Sequence, residues 1–273
     1  MGKNNWSRDL IDFSEEISII EDGNITLCFI NDFSDKLKNH IKQFLTIVCY
    51  GPHINTPEII CEYPFEKTIK SFKERYDSKT PEMQKGMLGE LLAHILINNY
   101  IEKLKVFSPY FNKEEGNIRK GFDVLYIDTD DNCIRYGEVK SGELHVGKTI
   151  TQTNNDLLSA AETDLKDKLS DATRQVLWDN AKFDASLFRG VNENYNIHSL
   201  LNEDESTHLS DDKKVILISV CFHDINDKIS IEQIKVFYER LLRKNTFSDA
   251  IIFSVQKNTL DKMKKFMFEE CTE

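Results

Sequence analysis

The stretch GFDVLYIDTDDNCIRYGEVKSGE constrains the fold of this 273-residue chain more than any other segment. Two runs rich in β-branched and aromatic residues flank a polar turn, which predicts a pair of strands. Side chains two positions apart point to the same face of a strand, so Ile134, Tyr136, Glu138 and Lys140 share one side. Asp123 lies near the start of the first strand. We therefore expect two carboxylates and a lysine to meet where the paired strands end.

A long apolar helix is predicted just before these strands. Thr80 and Pro81 form a typical helix start, with proline at the first helical position. The segment EMQKGMLGELLAHILINNYIEKL then repeats apolar residues at helical spacing, which indicates a buried helix. Glu90 lies at the flank of the apolar arc. The helix can therefore bring a third carboxylate toward the strands.

The second half of the chain alternates between predicted helices and buried strands. KVILISVCFHD and DAIIFSV are continuous apolar runs, typical of strands that are buried on both faces. ISIEQIKVFYERLLRK is an amphipathic helix, and TLDKMKKFMFEE predicts a last helix. We also predict a helix across residues 156–180 and a loop-like, acidic segment over 181–212. TITQTNN, before this helix, is predicted to be a polar linker.

This alternation predicts an α/β domain with a mixed sheet flanked by helices over residues 66–273. Residues 1–65 differ, because short apolar runs alternate there with polar segments that Pro52, Pro57 and Pro64 interrupt. We expect this region to be an N-terminal accessory part.

Composition excludes several classes of protein. The net charge of −11 argues against a chain that coats nucleic acid unaided, because binding phosphates requires clustered lysine and arginine. No apolar run reaches the length of a membrane span, and MGKNNWSRDL lacks the apolar stretch of a signal peptide. We therefore expect a cytoplasmic protein that binds no membrane.

The six scattered cysteines form no CxxC pair and predict reduced thiols. No P-loop is present, so any use of ATP would belong to a partner.

The two acids and the lysine have the chemistry of a metal-dependent phosphodiesterase. Mg²⁺ prefers hard oxygen ligands and keeps several waters, so a few carboxylates and a substrate phosphate suffice to bind it. Asp123 and Glu138 are the expected metal ligands, and Mn²⁺ is an expected substitute for Mg²⁺. Lys140 would orient or deprotonate the attacking water, or stabilise the charged transition state. Glu90 would add a carboxylate directly or through water.

Each of these residues alone is more readily explained as structural. Glu-x-Lys triplets arise by chance in a chain of which 30% is charged, and charged residues on strands usually face solvent. Lys148, Gln152 and Gln175 have polar side chains that can aid metal or DNA binding, but they are more simply explained as surface groups. The combination is more specific: a helix with a flanking Glu, a Gly-x-Asp strand, a Gly-Glu-x-Lys strand, and another helix.

That order, Glu90 … Asp123 … Glu138-Val139-Lys140, resembles the PD-(D/E)xK nuclease superfamily, which has the restriction-endonuclease-like fold. The match covers roughly residues 80–180, with Phe122 in place of the proline of the family's name. More closely, GELLAHILI, GFDVLYID and YGEVKSGE resemble the HamA family, the nuclease component of the Hachiman anti-phage system. The resemblance implies a DNA nuclease that works beside a superfamily 2 helicase, HamB, which holds it in check until phage-related DNA damage or intermediates license cleavage.

Two other hypotheses remain open from the sequence. The chain could be a catalytically silent regulatory subunit that clamps a helicase, although such a subunit has no need to keep Asp123, Glu138 and Lys140 together. Alternatively, the same chemistry could act on RNA, although no aromatic RNA-stacking signature supports this substrate.

Overall fold

The computed structural model describes residues 15–111, 121–171, 175–188, 196–207, 209–258 and 260–270. Within these residues the chain forms one seven-stranded mixed sheet with helices on both faces. This confirms the predicted α/β architecture and is compatible with a restriction-endonuclease-like fold.

The strands form a parallel centre with antiparallel edges. They are β1 Ile17–Asp22, β2 Ile25–Ile30, β3 Leu104–Val106, β4 Val124–Asp128, β5 Cys133–Glu143, β6 Lys214–Phe222 and β7 Asp249–Lys257. Their order across the sheet is β1-β2-β7-β6-β5-β4-β3. β2, β7, β6 and β5 run parallel, β1 is antiparallel to β2, and β3, β4 and β5 form an antiparallel meander.

The helices divide between the two faces of the sheet. They are α1 Asp35–Tyr50, α2 Pro57–Ile60, α3 Phe65–Asp77, α4 Pro81–Tyr100, α5 Ile150–Ser170, α6 Gln175–Leu187, α7 Ile197–Thr207, α8 Ile231–Lys244 and α9 Leu260–Lys265. A 3₁₀ helix covers Pro52–Ile54 and a π-helical turn covers Phe266–Glu270. Residues of α1, α3, α4 and α9 bury one face of the sheet, and residues of α5 to α8 bury the other.

The predicted core helix α4 is confirmed and rests directly on β5. The Thr80 hydroxyl caps the helix by accepting a hydrogen bond from the Met83 N–H at 3.4 Å. A Cβ at Gly89 would lie 2.5 Å from the Cβ of Ser141, so only glycine permits this approach of helix to strand. The close contact therefore fixes the distance between α4 and β5, the strand that carries Glu138 and Lys140.

β5 changes its neighbours along its length, and this change creates the site. β4 pairs with its first half, where Val124 lies opposite Gly137, while β6 accompanies it from Arg135 to Glu143. A Cβ at Gly137 would lie 2.3 Å from Cγ1 of Val124, so glycine is required where these two paired residues face each other. From Glu138 onward β5 has no β4 neighbour, which opens one side of the strand.

The helix predicted over 156–180 is wrong in its bounds, because the structure has α5 from Ile150 to Ser170 and α6 from Gln175. The polar residues TITQTNN are not a linker. Thr149 and Gln152 form a capping box at the start of α5, with reciprocal hydrogen bonds of 3.2 and 2.9 Å. Val176 of α6 is 49% exposed.

The prediction of a loop over 181–212 is also wrong, because α6 continues to Leu187 and α7 occupies Ile197–Thr207. Long-range polar contacts hold these helices: Lys182 pairs with Glu205 at 2.5 Å, and the Tyr136 hydroxyl donates to Asp204 at 2.6 Å. Such contacts leave no periodic apolar pattern in the sequence.

The region predicted as accessory contributes to the same sheet. β2 pairs in parallel with β7, with Ile25 opposite Ile252, and β1 forms the sheet edge. α1 packs on the same face as α3 and α4. Across the described ranges, no helix is both long enough and apolar enough to cross a membrane.

Candidate active site

The structure brings Asp123, Glu138 and Lys140 together where β4 leaves β5. Asp123 directly precedes β4, and its Oδ2 accepts a hydrogen bond from the backbone N–H of Val139 at 2.9 Å. Val139 stands between Glu138 and Lys140 on β5. The side chain of Asp123 therefore continues the strand pairing beyond its last backbone contact, and it fixes one carboxylate beside the other.

Glu138 is the most deeply buried member of the site, with 1% exposure. Its Oε1 accepts a hydrogen bond from Lys140 Nζ at 2.9 Å, and its Oε2 accepts one from Lys168 Nζ at 2.5 Å. Both oxygens are thus engaged by cations. Desolvating a carboxylate is costly unless such partners are present.

The helix α5 supplies two further charged groups that face the site. Lys168 Nζ also lies 3.4 Å from Asp123 Oδ1, so this ammonium group contacts both carboxylates. Asp164, one helical turn earlier, pairs with Lys140 at 2.6 Å. The result is a continuous chain of alternating charges whose order is Asp123, Lys168, Glu138, Lys140, Asp164.

The charges in this cluster shift one another's pKa values. Burial of the Glu138 carboxyl, reinforced by the negative charge of Asp123, raises its pKa, although Lys168 and Lys140 oppose the shift. Burial alone would lower the pKa of both lysines. The carboxylates outweigh it, because Glu138 and Asp164 raise the pKa of Lys140, and Asp123 and Glu138 raise that of Lys168. Both amines are therefore protonated at neutral pH.

An aromatic cluster supports the two strands that carry the carboxylates. The Phe122 and Tyr136 rings lie 4.8 Å apart, and the Trp178 ring of α6 lies 5.7 Å from each of them. Phe122 precedes Asp123, and Tyr136 lies two residues before Glu138 on the same face of β5. Packing of α6 and α7 therefore restricts the positions of both acids.

Glu90 lies on α4, which covers the opposite face of the sheet. Its Oε1 is 3.8 Å from Nε2 of the buried His94. Burial raises the pKa of Tyr126, and the negative charge of Glu90 adds to this shift, which places Glu90 near β4 from the α4 side. These contacts do not join Glu90 to Glu138. Its role as a third metal ligand stays a prediction.

The other polar candidates from the sequence have structural partners. Lys148 contacts Asp156 at 2.5 Å. Gln152 belongs to the capping box of α5, and Gln175 binds Glu205. These contacts agree with their interpretation as surface groups.

The donors of the site suit a divalent metal ion. Asp123 and Glu138 present hard oxygen atoms, and the pKa of Glu138 is raised first by burial and then by the negative charge of Asp123, so a cation between the two carboxylates would stabilise their charged forms. Among the described residues, only Asp128, Asp131 and Cys133 place three ligand atoms within 4.8 Å of one another. That group lies at the β4–β5 turn and is taken up by ion pairs with Arg135 and Lys214.

Sequence reasoning missed Lys168 and Asp164. Their signal was an acid and a lysine four residues apart, beside the apolar row of Leu158, Ala161, Leu165 and Leu169. That spacing is common on exposed helices. Only the packing of α5 against β5 reveals that the pair faces the carboxylates.

The mixed sheet, with two carboxylates and a lysine where β4 leaves β5, is an α/β fold that is compatible with the restriction-endonuclease-like class of proteins. The HamA family model matches residues 7–271. The chain belongs to the HamA family, a component of Hachiman anti-phage defence. No curated protein shows significant similarity to the chain.

Proposed function

We propose that the protein is a Mg²⁺-dependent nuclease that hydrolyses phosphodiester bonds in DNA as an effector of anti-phage defence. One observation carries this function: Asp123, Glu138 and Lys140 converge on one side of β5, at the point where β4 leaves it. Two acids and a lysine in this arrangement combine metal binding with stabilisation of charge on a phosphate.

Asp123 and Glu138 would hold the metal, with Glu90 as the proposed third carboxylate, and Mn²⁺ would replace Mg²⁺. When bound, the metal supplies an activated water and neutralises charge on the phosphate. The chain's own contribution is positional. The Val139 N–H fixes the orientation of Asp123, and burial of Glu138 prevents its side chain from turning to solvent.

Lys140 is the group that would meet the substrate. Its side chain is 27% exposed, whereas that of Glu138 is 2% exposed. The ammonium group can therefore contact a phosphate in solvent while it remains tied to the buried acid. A protonated amine at this position would orient the attacking water and stabilise the negative charge that develops in the transition state.

We propose a superfamily 2 helicase of the HamB type as the partner that delivers DNA in the cytoplasm. Family membership supports this, since HamA is a component of the Hachiman system. Charge supports it as well. The net charge is −11, and Lys85, Lys140, Lys148 and Lys168 near the end of β5 are each paired with a carboxylate. Such a surface binds DNA weakly without help.

The test is cleavage of plasmid DNA and of RNA by the purified chain with Mg²⁺, alone and with the helicase encoded beside it. We expect DNA cleavage that Glu138→Gln abolishes. Glu143→Gln is the matched control, because Glu143 ends the same strand with an exposed side chain that pairs with Lys85. Cleavage of RNA but not of DNA would mean that the substrate of the nuclease is RNA.

Retained helicase binding without cleavage of either nucleic acid would instead favour a silent regulatory subunit. In that case Glu138→Gln would leave phage protection unchanged. Loss of protection together with loss of cleavage would support the nuclease.

A further inference from the structure

Lys168 is the charged residue that most closely joins the two proposed metal ligands. Its Nζ lies 2.5 Å from Glu138 Oε2 and 3.4 Å from Asp123 Oδ1, and its side chain is 16% exposed. A cation that bridges two carboxylates occupies the space in which a divalent ion would bind the same oxygens. This position is independent of Lys140, which contacts the other oxygen of Glu138.

Buried contacts with the sheet fix the position of α5, the helix that carries Lys168. Asn154 of α5 accepts a hydrogen bond from Ser219 of β6 at 2.7 Å and donates one to Ser254 of β7 at 3.3 Å, in a fully buried cluster. Leu165 and Leu169, on either side of Lys168, are completely buried. The backbone of α5 therefore holds Lys168 over β5, and only its flexible side chain has freedom to move.

We propose that Lys168 is an internal counter-cation that competes with the divalent metal for Asp123 and Glu138. This inference rests on the proposed nuclease function. Lys168 acts as a positioning residue. Its ammonium group holds the two carboxylates together, and it would have to leave them when a divalent ion binds the same oxygens.

The charge balance favours this exchange. The three carboxylates Asp123, Glu138 and Asp164, with the ammonium groups of Lys140 and Lys168, carry a net charge of −1. A divalent ion that enters while Lys168 stays in place meets a neighbouring positive charge at short range. Repulsion of this kind between partly buried groups weakens binding strongly. The long side chain of lysine allows the amine to swing away without moving the helix.

The experiment measures Mn²⁺ binding without DNA, by calorimetry and by electron paramagnetic resonance, after metal is removed with a chelator. Lys168→Gln should bind Mn²⁺ about tenfold more tightly than the wild type, because one competing charge is removed. Lys168→Arg, which keeps the charge, should bind no more tightly than the wild type. Lys166→Gln is the matched control, since Lys166 is an exposed lysine of the same helix, and it should leave affinity unchanged.

Glu138→Gln separates this inference from the proposed function. If Glu138→Gln loses Mn²⁺ binding while Lys168→Gln binds as the wild type or more weakly, Lys168 is not a competitor, although the metal site stands. If Glu138→Gln binds Mn²⁺ like the wild type, the metal lies elsewhere and both ideas are overturned. Should Lys168→Gln fail to fold, tighter binding by Lys168→Arg would still contradict the competition.

Discussion

The Asp123 carboxylate accepts a hydrogen bond from the backbone N–H of Val139 at 2.9 Å, so an acidic side chain completes the pairing of two strands. This bond gives Asp123 two separable roles. One oxygen holds the strand that carries Glu138 and Lys140. The negative charge contributes to the proposed metal site.

Asp123→Asn and Asp123→Ala should separate these roles. The amide oxygen of asparagine can still accept the Val139 N–H bond, so Asp123→Asn should keep its stability but lose metal-dependent cleavage by about 100-fold or more. Asp123→Ala should lose cleavage and also about 1–3 kcal/mol of unfolding free energy, because the N–H loses its partner. Urea unfolding and cleavage rates of both variants check this. Equal stability of the two variants would contradict the structural role.

Two glycines of α4 should respond to alanine in opposite directions. A Cβ at Gly89 would lie 2.5 Å from Cβ of Ser141, whereas a Cβ at Gly86 has no neighbour within 4 Å. Gly89→Ala should therefore cost about 1–3 kcal/mol of stability through overpacking. Gly86→Ala should add about 0.5–1 kcal/mol through helix propensity. Thermal and urea unfolding measure both changes.

The double variant Gly89→Ala with Ser141→Gly tests the cause of the loss at Gly89. Removing the Cβ of Ser141 should recover part of the lost stability, which a double-mutant cycle would report as a coupling between the two sites. Purely additive changes would show that the helix and the strand are not in the close contact described here.

Asp164 should restrain DNA binding through its ion pair with Lys140. The two groups lie 2.6 Å apart, and the Asp164 side chain is 50% exposed, so a DNA phosphate can compete for the amine. Asp164→Asn should tighten binding of a DNA duplex by about two- to fivefold at low salt, and the gain should shrink at high salt. Fluorescence anisotropy of labelled DNA measures this affinity, and both proteins carry Glu138→Gln so that the DNA is not cleaved during the measurement.

Asp167→Asn is the matched control, because it removes an exposed acid of the same helix, three residues from Asp164. A similar gain from both variants would mean that overall charge, rather than release of Lys140, controls the affinity for DNA.

Lys257, at the end of β7, should make stability depend on alkaline pH. The side chain is 2% exposed and lies 4.8 Å from the centre of the Phe33 ring. Burial, with help from the charge of Lys262, lowers its pKa to about 8. The unfolded chain binds this proton more tightly than the folded chain does. The unfolding free energy of the wild type therefore gains from this group as pH rises from about 8 to 10.5.

Lys257→Met should lose that gain and should exceed the wild type in stability by about 2 kcal/mol below pH 8. Urea unfolding across this range gives the difference between the two proteins, which cancels the titration of other groups. Lys265→Met, at an exposed position of α9, should show the wild-type dependence on pH. The same pH profile in Lys257→Met and the wild type would exclude Lys257 as the source.

The fold could be predicted from the sequence wherever one residue pattern determines the structure. α4, β6, β7 and α8 each have an apolar period and clear end signals, and the structure confirms them. The start of α5 was missed because its capping residues are polar and resemble a linker. α7 and the second half of α6 were missed because contacts such as Tyr136 with Asp204 join residues 68 positions apart.

The site residues could likewise be predicted only where a local sequence pattern determines their position. Asp123, Glu138 and Lys140 could be grouped from strand alternation alone, because the two strands are neighbours in the sequence. Lys168 and Asp164 lie on a separate helix, and their orientation depends on the polar anchor between Asn154 and the central strands. No local pattern encodes that orientation.

The most direct test of the central claim is the initial rate of DNA cleavage by the wild type, Glu138→Gln and Glu143→Gln with the helicase present, across a Mg²⁺ titration. The wild type and Glu143→Gln should cleave at similar rates that depend on Mg²⁺. Glu138→Gln should fall by about 1,000-fold or more while it remains folded and bound to the helicase. Cleavage by Glu138→Gln at the wild-type rate would contradict the assignment of the active site.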